Sequence, residues 1–164
     1  MIVLIMGVTG SGKTTVGTAL ATRLRWEFLD ADDFHSAANK EKMHKGIPLT
    51  DADREPWLRS IHDKLIELGS QGRSAALACS ALKQTYRDAL SANVDLKLVY
   101  LKGSYNLTAE RIHERHGHFA GEGILAGQFA DLEEPQDALI VDVHQSPDAI
   151  VAYIIDQLKL APNA

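Results

Sequence analysis

The chain has 164 residues, 45% of them hydrophobic, which suits one globular domain with a full core and excludes a disordered or fibrous chain. Seventeen Lys and Arg against 22 Asp and Glu leave a formal net charge of −5 at pH 7, so a general nucleic-acid surface, which would be basic, is not expected. The single cysteine, Cys79, excludes an intrachain disulfide, and the N-terminal apolar run is too short for a membrane span or a signal peptide; the expectation is a soluble cytoplasmic protein with no membrane partner.

Ile2 to Gly7 reads as a strand that is apolar on both faces, as a central parallel strand requires. It runs into Gly7-Val8-Thr9-Gly10-Ser11-Gly12-Lys13-Thr14, of the form G-x-x-x-x-G-K-[ST], and Thr15 to Arg25 reads as the helix that follows. Strand, glycine-rich loop and helix make the pattern a nucleotide-triphosphate site. Glycines at 7, 10 and 12 let successive N–H groups turn inward, and the helix adds its positive N-terminal end. Lys13 reaches the outer phosphates, and the Thr14 hydroxyl suits Mg²⁺, a hard cation that takes few protein ligands.

Trp26 to Leu29 reads as a second strand, ending in Asp30-Ala31-Asp32-Asp33-Phe34-His35. Ligands of open α/β sheets sit beyond the carboxyl ends of the strands. Asp30 and Asp32 share one side of an extended backbone, and carboxylates this close repel unless a cation such as Mg²⁺ accompanies them. Ala37 to Lys45 reads as a helix ending at Gly46, and Ile47-Pro48-Leu49 as extended. Thr50 caps a further helix whose apolar stripe is Trp57, Ile61, Leu65 and Leu68, with Trp57 read as core. Arg54 falls in its first turn, where the helix dipole disfavours a cation, so an anionic partner is expected: a carboxylate of the protein or a substrate.

Ser74 to Cys79 is the third strand. It ends Cys79-Ser80-Ala81 with no carboxylate, so acidic support for the metal falls to Asp30. Lys83, Tyr86 and Arg87 follow on one face of a helix, and their two cations suit an anionic substrate. Val94 to Leu101 is the fourth strand, and the helix after Asn106 carries Arg111 and Arg115 one turn apart. The glycine-rich stretch from His116 through Gly123, with Gly127 beyond, reads as a mobile lid over about residues 116–128 that carries arginine to the transferring phosphoryl group. His113, His116 and His118 lack the accompanying ligands that zinc needs. Ala138 to Val143 is the fifth strand. Ser146-Pro147-Asp148 starts a last helix with buried face Ile150, Val151, Ile154, Ile155 and Leu158, and Ala161 to Ala164 reads as a frayed tail. Five strands alternating with helices predict one doubly wound α/β domain over 1–164, with helices on both faces of a parallel sheet.

The sequence resembles the gluconate kinases, small P-loop kinases related in fold to shikimate and adenylate kinases. The stretches that carry the resemblance are GVTGSGKTT, LDADDFH with AANKEKMHKGIPLTDADREPWL, CSALKQTYRD, and GHF followed by GQF and LEEP. The resemblance implies the P-loop NTPase fold with strand order 2-3-1-4-5, a homodimer, and Mg²⁺- and ATP-dependent phosphorylation of D-gluconate at its 6-hydroxyl, giving 6-phosphogluconate. On that reading Gly7 through Thr15 (Gly7, Val8, Thr9, Gly10, Ser11, Gly12, Lys13, Thr14, Thr15) cradle the nucleotide phosphates, and Lys13 with Arg115 stabilises the transferring group. Arg111 stacks near adenine, which backbone groups from Val143 to Ser146 otherwise hold. Thr14 and Asp30 support Mg²⁺, and Asp32 orients the attacking hydroxyl and accepts its proton. His35 bonds a substrate hydroxyl; Arg54, Lys83 and Arg87 are all candidates for the substrate carboxylate, with the division among them open. Departures are small: His35-Ser36-Ala37-Ala38-Asn39 stands where HPAAN is expected, and Gly127-Gln128-Phe129 where SQF is expected. The rival readings are a kinase of another small anionic acceptor, such as shikimate or another sugar acid, and a nucleotide-dependent switch without an acceptor. The absence of an N-K-x-D signature argues against the switch.

Overall fold

A computed structural model describes residues 1–116 and 122–164. Five strands, β1 (Ile2–Met6), β2 (Glu27–Asp30), β3 (Ala75–Ala78), β4 (Leu96–Lys102) and β5 (Leu139–Asp142), form one sheet in the order β2-β3-β1-β4-β5, every pairing parallel. The helices are α1 (Lys13–Leu24), α2 (Ala37–His44), α3 (Asp51–Ser70), α4 (Gln84–Ser91), α5 (Tyr105–His116), α6 (Glu122–Asp131) and α7 (Pro147–Leu158), and a 3₁₀ turn spans Ala31–Phe34. The doubly wound order expected from the sequence is the one observed.

The central strand explains the architecture. All five β1 residues are buried, because successive side chains enter opposite layers. Ile2, Leu4 and Met6 pack with Trp57, Leu58, Ile61, Leu65 and Leu68 of α3. Val3 and Ile5 pack with Val16, Leu20 and Leu24 of α1 and with Ile150, Val151 and Ile154 of α7. The α3 stripe and the α7 face are those that helical spacing predicts. Parallel register then aligns the functional ends: Asp30 pairs with Ala78, and Ala78 with Ile5, so the acids after β2 and the loop after β1 open on one edge of the sheet.

Three boundaries differ from the sequence reading in ways that matter. The first helix begins at Lys13, two residues earlier than Thr15, so Lys13 and Thr14 lie in its first turn. Residues 122–128, expected within a glycine-rich lid, belong to α6; the remainder of that lid, 117–121 with the GHF stretch, lies outside the described residues. The C-terminal tail is docked and not frayed. Asn163 donates its backbone N–H to Leu24 O at 2.9 Å and its side-chain amide to Arg25 O at 3.0 Å, and Trp26 Nε1 donates to Ala161 O at 3.2 Å. The two Asn163 bonds satisfy carbonyls that the end of α1 would otherwise leave open. Among the described residues, no helix is long and apolar enough to cross a membrane.

Candidate active site

The phosphate loop is a tight crown of main chain. Ser11 N donates to Val8 O at 3.2 Å, and Gly12, at φ 98°, turns the chain into α1 through a left-handed conformation that side chains other than hydrogen disfavour. A Cβ on Gly7 would lie 2.6 Å from Ser11 Oγ and 3.0 Å from Leu101 O, so the start of the loop has room only for glycine. Side-chain oxygens cap α2, α3 and α7 (Ser36, Thr50 and Ser146), whereas the N-terminus of α1 has no side-chain cap. Its first N–H groups are thereby left to an anion. Ser11 Oγ is also buried without a hydrogen-bond partner among the described residues. Thr14 and Thr15 are exposed at the mouth.

Lys13 folds back over the loop, its Nζ donating to Val8 O at 3.0 Å. Burial lowers its pKa from the ordinary lysine value; Asp32 and Asp30 pull it back up, and Arg115 adds to the lowering. The sequence therefore folds so that the predicted cations and acids feel one another. Asp30 accepts the N–H of Asp32 at 3.0 Å and starts the 3₁₀ turn, which turns Asp32 toward the cavity it lines. Burial raises the Asp32 pKa above the usual carboxylate range, the neighbouring Asp30 raises it further, and Lys13 opposes both. Cys79, at the end of β3, is buried, which pushes its thiol up to about 12, so it contributes no charge to the site.

Beside this loop lies a cavity of about 610 Å³. His35 and Trp57 stack on one wall, ring centroids 4.3 Å apart and planes 8° from parallel, with Trp57 Nε1 donating to Ala31 O at 2.6 Å. His35 Nδ1 lies 3.4 Å from Asn39 Nδ2, and the Asn39 amide also donates to Asp53 O at 2.9 Å. An amide N–H offered to Nδ1 selects the tautomer with the proton on Nε2. Burial first, then Arg54 and Lys40, lowers the His35 pKa, so the ring is a neutral donor at physiological pH.

Arg54 lines the cavity, Nη1 3.2 Å from Tyr86 Oη and 3.7 Å from Asp51 Oδ1. The Tyr86 hydroxyl donates to Asp51, and Lys83 Nζ lies 3.5 Å from the same carboxylate. The anionic partner expected for Arg54 is thus present as Asp51, which also pairs with Lys83; Lys83 itself does not line the cavity.

Arg87 requires a correction. It is 4% exposed and does not line the cavity. Nη1 donates to Ala81 O (2.8 Å) and Leu82 O (2.9 Å), and Nη2 to Gln84 Oε1 (2.8 Å) and Glu133 O (2.9 Å). A guanidinium committed to these partners is a strut for the cavity wall, including Ala81, whose φ is +45°. Sequence spacing places it on the same face as Lys83 and Tyr86 but cannot say which side of that face meets Glu133.

Arg111 bridges two loops, its Nη2 2.6 Å from Val143 O and its Nη1 3.5 Å from Ser11 O. It links the phosphate loop to the turn after β5. Sequence reasoning misses three features at or beside the cavity. Trp57 reads as core, yet from α3 it both packs on β1 and forms a cavity wall. Asp51 reads as helix-start charge, yet it holds Tyr86 and Arg54, which do line the cavity. Gln128 was noticed only within the GQF stretch, yet its Oε1 accepts the N–H of Thr9 at 2.6 Å.

A phosphate loop on the carboxyl edge of a β2-β3-β1-β4-β5 sheet, next to a cavity with its own acid and cations, defines a P-loop kinase architecture. The family model described as "AAA domain" matches residues 2–135. A gluconokinase of Gluconobacter oxydans (strain 621H) is 44% identical over 92% of this chain and 87% of its own length. The thermoresistant gluconokinase of Escherichia coli (strain K12) is 40% identical over 96% of this chain and 93% of its own. The crystal structure of a gluconokinase from Sinorhizobium meliloti 1021 superposes with a TM-score of 0.83 at 38% identity, covering 96% of this chain and 94% of that one. The chain belongs to the gluconokinase family.

Proposed function

We propose that the protein transfers the γ-phosphoryl group of ATP to the 6-hydroxyl of D-gluconate, giving 6-phosphogluconate. The observation that carries this reading is that Asp32 lies within electrostatic reach of Lys13 and also lines a cavity that Arg54 enters. One carboxylate thus stands between a phosphate site and a pocket suited to a small polyhydroxy acid.

In this reading the phosphate loop N–H groups and the α1 N-terminus hold the β- and γ-phosphates, and Lys13 and Arg115 offset charge on the transferring group. Asp32 holds the attacking hydroxyl and takes its proton. Burial and Asp30 raise its pKa, which makes it a better base than an ordinary carboxylate, and Lys13 opposes that rise. Arg54 receives the gluconate carboxylate, and Lys83, outside the cavity and paired with Asp51, adds positive charge nearby. His35 donates Nε2–H to a hydroxyl. Arg111 and the turn from Val143 to Ser146 border the adenine. The donors near Lys13 fit Mg²⁺: Thr14 brings a hydroxyl and Asp30 a carboxylate, both hard oxygens, and added positive charge would relieve the Asp30–Asp32 repulsion. Bound there, Mg²⁺ would neutralise phosphate charge. The family resemblance supports a cytoplasmic homodimer, and the net charge of −5 supports a protein without a nucleic-acid partner.

The test is a panel of sugar acids and shikimate in an assay coupled to ADP release. Stimulation by gluconate well above the other acceptors is the expected result. Preference for another acid would move the substrate, and turnover that no acceptor stimulates would replace the kinase reading with a switch.

A further inference from the structure

The GQF stretch is the matching motif to which the chemistry above gives no task. Gln128 sits on α6, lines the acceptor cavity, and accepts the backbone N–H of Thr9 in the phosphate loop. Its carboxamide makes a hydrogen bond that joins the two halves of the site across 119 residues of sequence. The helix beneath it is well seated. Leu125, with no exposed surface, packs with Val8, Leu82 and Ile112, and Phe129 meets Tyr105 at 5.5 Å between centroids. Val8 precedes Thr9, and Leu82 belongs to the wall that Arg87 props, so the phosphate loop, the α4 wall and α6 share one small apolar cluster. The same helix contributes Ile124, Gly127 and Asp131 to the cavity.

We propose that Gln128 is a positioning residue that registers the acceptor wall against the phosphate loop, acting through the Thr9 N–H and not by contact with the transferring phosphoryl group. The inference rests on the kinase reading for its kinetic consequences. The nucleotide is held by several main-chain groups and Lys13, so loss of one tie to α6 leaves it in place. The acceptor depends on a wall whose distance from the phosphate loop this bond sets, and small misplacements of a reacting group are costly in rate.

The experiment compares Q128A and Q128E with the parent protein. Q128A should lower kcat/KM for gluconate by about tenfold or more, with the KM for ATP within about twofold and more ATP hydrolysed per gluconate phosphorylated. Q128E keeps an oxygen for Thr9 but adds negative charge beside the phosphates. It should recover much of the gluconate KM while raising the KM for ATP. Thr9 amide hydrogen exchange gives a readout independent of the acceptor: slow in the parent and in Q128E, fast in Q128A. A purely structural role would lower the melting temperature and leave coupling and both KM values alone, and that result would overturn the proposal. So would a Thr9 amide equally protected in Q128A and the parent. Should Q128A not fold, Q128M, which fills similar space but offers Thr9 no oxygen, takes its place, and parental Thr9 protection or a parental kcat/KM for gluconate in that variant would overturn the proposal. A parent protein that ignores gluconate while Thr9 protection still depends on Gln128 would remove the substrate assignment and leave the tie intact.

Discussion

The phosphate loop and the acceptor wall touch at Thr9 and Gln128 but are made by opposite means. The loop is a run of eight consecutive residues, Gly7 to Thr14, whose binding groups are mostly main chain. The wall is made of side chains from the 3₁₀ turn, α3, α4 and α6, brought together only by folding. A main-chain site depends on where glycine is permitted. A side-chain site depends on what each side chain is already bonded to. Arg54 and Arg87 make the point, being cations of equal charge near one cavity. One has part of its guanidinium in the cavity; the other is spent on carbonyls.

Breaking the link between the two regions at Asp32 should have the largest effect. Asp32→Asn should lower kcat by about 10²–10⁴-fold while ATP still binds, measured by steady-state kinetics and nucleotide titration. The same change should stabilise the ligand-free protein. The folded-state pKa of Asp32 is raised, by burial first and Asp30 next, so the stability this group contributes is present at low pH and lost as pH rises through that pKa. At neutral pH the ionised form is a burden that asparagine removes. The melting temperature of the variant should exceed that of the parent at pH 7, and the gap should close toward about pH 4, near the ordinary aspartate value. A variant that melts lower at pH 7 would make Asp32 a structural residue.

The two arginines sharpen the comparison next. Arg87→Met removes the side-chain donor of the Ala81 and Glu133 carbonyls and one of the two donors of Leu82 O, at a cost of about 3 kcal/mol. For a chain of this size that corresponds to a fall of about 6–12 °C in melting temperature. Arg54→Ala should do the reverse, raising the KM for gluconate about tenfold to a hundredfold with little change in melting temperature. Lys83→Ala should raise it only a few-fold, because Lys83 does not line the cavity and is paired with Asp51. Equal behaviour of Arg54 and Arg87 would erase the distinction drawn here.

That contrast also explains what could be read without coordinates. Alternation and helical spacing are local, so β1, the α3 stripe and the α7 face were legible, and the phosphate loop was legible because its function is local too. The strand order followed from the resemblance. The fate of Arg87 was not legible, because the carbonyl of Glu133 that it binds lies 46 residues away. Gln128 was hidden for the same reason: its partner is a main-chain N–H, which any residue at position 9 except proline would supply. Glycines at 123 and 127 suggested a loop by composition, but α6 packs Leu125 against Val8 and Ile112, and that burial outweighs a weak helix propensity.

A smaller effect tests the neutral state of His35. Its pKa is lowered by burial, Arg54 and Lys40, so protonation begins at lower pH than for an ordinary histidine. The KM for gluconate should be flat through about pH 6.5, the usual histidine midpoint, and should climb only below it as the imidazolium forms against Arg54. Because a depressed histidine favours the neutral folded form, the stability it contributes is lost as pH falls from the ordinary value toward the folded one, so the fall in melting temperature should begin at higher pH than the climb in KM. His35→Gln should raise KM and abolish the climb. A midpoint at or above the ordinary value would mean that a carboxylate reaches the ring when substrate binds.

The smallest effect belongs to the segment farthest from either region in function. Removing Ala161 to Ala164 deletes the two Asn163 bonds to Leu24 O and Arg25 O and the acceptor of Trp26 Nε1. Each such bond is worth about 1 kcal/mol net, less where water can replace it, so the loss should be about 1–2 kcal/mol and appear as a few degrees in melting temperature. Activity should be unchanged, since these bonds hold the C-terminal end of α1 and the phosphate loop sits at its other end. A truncated protein with lower kcat but parental stability would show that α1 transmits strain along its length, and the main-chain site would then be less self-contained than the loop's own hydrogen bonds indicate.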